Sequence, residues 1–161
     1  MAEAQRASRV GAVALLAAGI WSVINGAIMA MHPEWMTALM ANQYVSMGLD
    51  DQQIAFQEGF MSAVMPSLLA FGFVATSVVY AVLAWAQWTY MTRPIPMIML
   101  GLMLYGALTG GVALATGLYA GLDLTFAVTM ALGWVVQGFC GVLYAASARG
   151  AFALYRLRRQ P

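Results

Sequence analysis

The residues best suited to chemistry stand close together. Met31, His32, Met36 and Met40 bring three thioethers and the chain's only imidazole into one short segment, the ligand set that soft Cu(I) prefers. On a helix, Met36 and Met40 are one turn apart and His32 one turn earlier, so they share a side. The acid/base groups Glu34, Asp50, Asp51 and Glu58 follow in the same stretch. Against a metal site stand the 13 methionines of the chain, several in unrelated places such as Met97, Met99 and Met103. Thioethers also fill irregular apolar gaps well. The preferred reading is an elbow at a membrane surface, with Trp35, Met36, Leu39 and Met40 as its interfacial anchor and no metal site.

Elsewhere chemistry is scarce. Cys140 is the one cysteine, so no internal disulfide forms and paired-thiol redox chemistry is excluded. A single histidine excludes a haem held by two histidines of one chain. There is no glycine-rich phosphate loop, HExxH or carboxylate cluster. The expectation is a protein that is not an enzyme and has no cofactor, with lipid, pigment or Cu(I) left open as ligands and no nucleic acid among its partners.

Those residues must be positioned by spanning helices. With 63% hydrophobic residues, 8% charged and a mean hydropathy of +0.79, the chain is too apolar for a soluble domain with a polar shell. Four long apolar runs can be read, at about 9–31, 61–85, 95–118 and 124–148. Each makes roughly 35 Å of helix, enough for a ~30 Å hydrocarbon slab with some tilt. The first run is too long for the apolar region of a signal peptide and has no convincing A-x-A site. One membrane domain over 1–161 is expected, an all-α, four-helix up-down bundle.

Charge orients it. There is no lysine, and Arg6, Arg9, Arg93, Arg149, Arg156, Arg158 and Arg159 fall on one side if four spans alternate. That side is the cytoplasm by the positive-inside rule. Both termini are then inside, and residues 149–161 form a cytoplasmic tail. Arginine to the exclusion of lysine is the habit of a GC-rich bacterial genome, so the expected address is the bacterial inner membrane, ahead of a mitochondrial one.

The loop of about 32–60 lies on the outer, periplasmic side. Pro33 ends the first span by pushing His32 out of helical geometry. A new helix is favoured from Glu34, with Trp35, Met36, Leu39, Met40 and Tyr44 on one side: an amphipathic helix lying on the bilayer. The chain turns at Met47-Gly48-Leu49, and Asp50 with Gln53 reads as a capping box for a helix that runs through Gln57 and Glu58 into the second span.

The spans carry no charge at their centres, which counts against a proton-coupled carrier. Their demanding polar residues are Asn25 and Gln137, since serine and threonine can bond back to their own helix. Both amides lie on small-residue stripes: Gly11, Leu15, Ala18, Ser22, Asn25 and Met29 in the first span, and Gly133, Gln137, Cys140, Tyr144, Ser147 and Ala151 in the fourth. Trp21 and Ile24 lie off the first stripe. Gly141 adds a further small residue to the fourth span, and the third holds Gly106-x-x-x-Gly110 and Gly117-x-x-x-Gly121. Small residues let backbones approach, and an amide bonds across helices, so Asn25, Gly106, Gly110, Gly133, Gln137 and Gly141 are the expected packing residues. Short links make the second, third and fourth spans antiparallel neighbours. Pro66 should kink the second span, and Trp85, Trp88, Tyr90 and Tyr119 stand where interfacial aromatics belong.

Missing chemistry and surplus packing surface make the leading expectation a non-catalytic subunit or assembly partner of a larger inner-membrane complex. Its partners are membrane lipids and other subunits or further copies of itself. The alternatives are a small oligomeric channel or carrier and, third, Cu(I) handling at the outer face. The topology is too common to carry an activity by itself.

Overall fold

The computed structural model describes residues 2–48 and 51–159, which fold into helices joined by short turns. The elements are α1 (Ala2–Met31), α2 (Pro33–Met47), α3 (Asp51–Tyr90), α4 (Pro94–Ala115) and α5 (Leu124–Arg159). Four helical segments, in α1, α3, α4 and α5, are long and apolar enough to span a membrane. Such a set is the make-up of a multi-pass membrane protein.

The breaks have local causes. His32 sits at φ −124° and ψ 64°, outside the helical region, because Pro33 follows it. Pro33 and Glu34 then open α2, where a missing N–H and an acid suit a helix N-terminus. Gly48 closes it at φ 70°, with its N–H turned back to the Tyr44 and Val45 carbonyls. The Asp123 carboxylate accepts from the Phe126 N–H at 2.8 Å, capping α5.

Three expectations need correcting. The helices overrun the apolar runs: α1 starts at Ala2, and α5 continues through the polar tail to Arg159, whereas α3 starts at Asp51 and runs on into the second span as expected. Hydropathy ends at the membrane, whereas a helix ends only at a breaker, and the flanks have none. Gly117 and Gly121 are not a helix stripe. They stand at φ 74° and 79° in the turns after α4, a conformation that glycine adopts without penalty. Finally, α4 makes its main contact with α5, not α3. Asp50, half of the expected capping box, lies outside the described residues, as do the side chains of Asp51, Glu58 and Pro66; α3 is helical through position 66.

α1 is the central element, packed on α5 along one side and α3 along another, while α2 touches α1 and α3. The core is built largely from small residues, with Ala12, Ala14, Leu15, Ala84, Met99, Cys140 and Tyr144 at its centre. Glycines mark the close approaches. A Cβ on Gly26 would enter the Phe73 ring, one on Gly11 would strike Ser147, and one on Gly150 would lie 2.6 Å from the Ser8 backbone nitrogen. The accessible surface is 10253 Å², against about 7,800 Å² for a compact soluble chain of this mass. The excess is apolar surface, such as Phe71, Leu108 and Val135, each at least two-thirds exposed.

Candidate functional site

Three groups of polar or aromatic side chains stand out along the bundle. The first is a clasp at the end that carries the chain termini. Gln87 of α3, Ser8 of α1 and Ser147 of α5 are each fully buried. The Gln87 amide donates to the Ser8 carbonyl at 3.0 Å and to the Ser147 hydroxyl at 3.3 Å. The Ser147 hydroxyl donates to the same Ser8 carbonyl at 2.7 Å. The Gln87 carbonyl accepts from Thr92 at 3.1 Å, so both halves of the amide are satisfied. Around the clasp, the Arg9 guanidinium lies 5.1 Å from the Trp88 ring centre and Arg93 lies 3.6 Å from that of Tyr155.

The second is a cavity of about 300 Å³ deeper in the bundle. Ser22 and Asn25 from α1, Tyr80 from α3, Gly106 from α4, and Gln137, Cys140 and Tyr144 from α5 contribute to its wall. The cavity lies between α1 and α5 beyond the clasp, with α4 contributing to its wall. The Cys140 thiol is spent on the Ala14 carbonyl at 3.6 Å. Tyr144 is 1% exposed, and its hydroxyl has no hydrogen-bond partner. Among the described residues, no charged side chain lines the cavity.

The third is the elbow at the opposite end. The His32 imidazole donates from Nδ1 to the Glu34 carboxylate at 2.8 Å. A backbone hydrogen bond at Glu34, and then this contact with His32, hold the Glu34 carboxyl below the usual glutamate range. The His32 ring stacks on Trp35, and Trp35 meets Phe126 edge-on with centroids 5.3 Å apart. Trp35 is 2% exposed and Tyr44 6%. Asn42 donates to the Leu118 and Ala120 carbonyls at 2.9 and 3.0 Å, tying α2 to the link between α4 and α5.

No known family matches this chain. Neither a curated protein nor a solved structure matches it either. The site therefore has to be read from its own geometry.

The expected packing residues separate into two sets. Gly110 lies against Trp134, Gly133 against Trp21 and Gly141 against Met103, all contacts within the chain. Asn25, Gly106 and Gln137 instead line the cavity, and a Cβ on Gly106 would meet nothing within 4 Å. Trp21, placed off the stripe by its bulk, is in fact seated on it, because Gly133 opposite leaves room for an indole. Of the anchor residues, Trp35 is buried against the protein's own aromatics, whereas Met36, Leu39 and Met40 are half-buried. Met31 is 69% exposed. Among the described residues, no three His, Cys, Asp or Glu side chains gather into a metal-holding group.

Sequence reasoning missed the clasp. Its signal was present: Gln87 is an amide among Trp85, Trp88 and Tyr90, and ending the apolar run at Trp85 set it outside the bundle. The helix runs on to Tyr90 and carries Gln87 in.

Proposed function

We propose that this protein is a non-catalytic, multi-pass subunit or assembly partner of a larger complex in a bacterial inner membrane, with both termini in the cytoplasm. The observation that carries the reading is the state of α4. Only Pro96 and Met99 are buried among its 22 residues. Its main packing is against α5. Its other surface offers Gly101 and Gly111 to open space, together with Tyr105 and Leu108 at 68% and 71% exposure. Lipid gains little by excluding leucine, so a glycine on an outer helix face earns its place where another backbone approaches. The glycines already spent on Trp134, Trp21 and Met103 do not count toward that surface.

The up-down order is supported by pairings in which one number rises as the other falls. Ser8, Gly19 and Gly26 of α1 meet Gln87, Tyr80 and Phe73 of α3. Gly11 and Trp21 meet Ser147 and Gly133 of α5. The orientation is supported by the arginines, since Arg9 reaches Trp88 and Arg93 reaches Tyr155 at one end. A channel through the chain is disfavoured by the clasp, whose three side chains are fully buried between α1, α3 and α5. The Cu(I) alternative has to share His32 with Glu34 and Trp35.

Extraction in native lipid with a membrane-solubilising polymer, followed by mass measurement, tests the reading. An assembly containing a second membrane protein is expected. A chain of 17.2 kDa travelling with lipid alone would refute it.

A further inference from the structure

We infer that the cavity between α1, α4 and α5 is a binding site for the uncharged, carbonyl-bearing ring of a membrane-soluble quinone-type molecule whose apolar tail stays in the bilayer. The starting observation is Tyr144, a cavity-lining residue that is 1% exposed and holds a hydroxyl with no partner. A buried hydroxyl left unpaired is costly, and in hydrocarbon no water is at hand to relieve it. The sequence places it there beside further donors. Asn25 and Gln137 also line the cavity and, among the described residues, neither amide has a hydrogen-bond partner. Two unspent amides that open on one space, with the unpaired Tyr144 hydroxyl buried in its wall, call for an acceptor to fill it.

The ligand's character follows from the wall. With no charged side chain among the described lining residues, a phosphate or carboxylate would be buried unpaired, which argues against anionic headgroups. Tyr144 can give one hydrogen and each amide two, a set matched by carbonyl oxygens on opposite edges of a ring. The Trp21 and Tyr80 side chains supply aromatic surface for a planar body. A volume of about 300 Å³ is at the lower end for ligand pockets, room for a head and not for a long tail. The mouth is on the α4–α5 surface, where Leu102, Gly106 and Gln137 are exposed. A tail leaving there runs among acyl chains.

The full chain in phosphatidylcholine vesicles can be titrated with decylubiquinone, reading the quenching of tryptophan fluorescence. A saturable component is expected, because Trp21 lines the site. Tyr144→Phe keeps the ring and removes the donor, so the dissociation constant should rise about tenfold, one hydrogen bond's worth. Its thermal stability should be equal or higher, since an unpaired hydroxyl is gone. Gly106→Leu puts a side chain into the open space and should abolish the saturable component. A strictly linear response in the wild type, saturable binding unchanged in both variants, or equal competition by decanol would each overturn the assignment. The first would mean partitioning into lipid, the second a different site and the third a generic apolar hole. None of these outcomes depends on whether the chain joins a larger complex.

Discussion

The indole of Trp35 lies flat on the imidazole of His32, centroids 4.1 Å apart and planes within 8° of parallel. With Phe126 against its edge, Trp35 is a wedge between α2 and the start of α5. Its removal should cost about 3–5 kcal/mol, as for a large aromatic cut out of a core. Met36→Leu with Met40→Leu keeps volume and apolar surface and should cost less than about 1.5 kcal/mol. Unfolding in detergent micelles measures both. The reverse order, with stoichiometric Cu(I) lost from the double leucine variant under reducing conditions, would make the segment a metal site.

The approach of α1 to α5 predicts a sharp contrast between glycines. Gly150→Ala places a methyl carbon 2.6 Å from the Ser8 nitrogen and 2.8 Å from the Ala7 carbonyl carbon, and backbone cannot step aside as a side chain can. A loss of about 1–3 kcal/mol is expected. Gly138→Ala, with nothing within 4 Å, should leave stability unchanged. Equal effects at the two positions would mean that α1 and α5 do not meet at Gly150.

The Glu34 carboxyl is held below its usual range by a backbone hydrogen bond and by His32, so its charged form stabilises the folded elbow. For a depressed acid, that contribution is full above the unfolded value and fades as pH falls through the lower folded one. The resonances of His32, the chain's one histidine, should therefore show a step on acidification below the ordinary glutamate range. Glu34→Gln should remove the step. A wild-type profile identical to that of Glu34→Gln would show that the pair at 2.8 Å does not persist in solution.

Orientation is open to labelling. In a Cys140→Ser background, a membrane-impermeant thiol reagent applied from outside should modify a cysteine at the exposed Thr37 and spare one at the exposed Glu3. Labelling at Glu3 and not at Thr37 would invert the assignment.

The helical spans were legible because long apolar runs in a chain this poor in charge admit few other forms. The stripes on α1 and α5 were legible too, with Leu15, Cys140, Tyr144 and Ser147 all buried where the heptad spacing put them, but spacing did not say that the two stripes face each other. Other features depend on three-dimensional context that spacing does not carry. A glycine pair four apart reads the same on a helix face as in two turns, and only the positive φ at Gly117 and Gly121 separates them. An amide in an aromatic belt reads as interfacial until α3, running past Trp85 to Tyr90, carries Gln87 to Ser8. The cavity needed α4 to be set against α5 before Gly106, Asn25 and Gln137 could share a wall.

The central claim is that the outer face of α4 meets another protein. Photo-activated crosslinkers placed one at a time at Tyr105 and Leu108, which point away from the bundle at 68% and 71% exposure, test it in intact membranes. The account predicts one discrete adduct with a different membrane protein, lost when Gly101→Leu blocks close approach. Adducts with lipid alone at both positions, the chain remaining at 17.2 kDa, would contradict it.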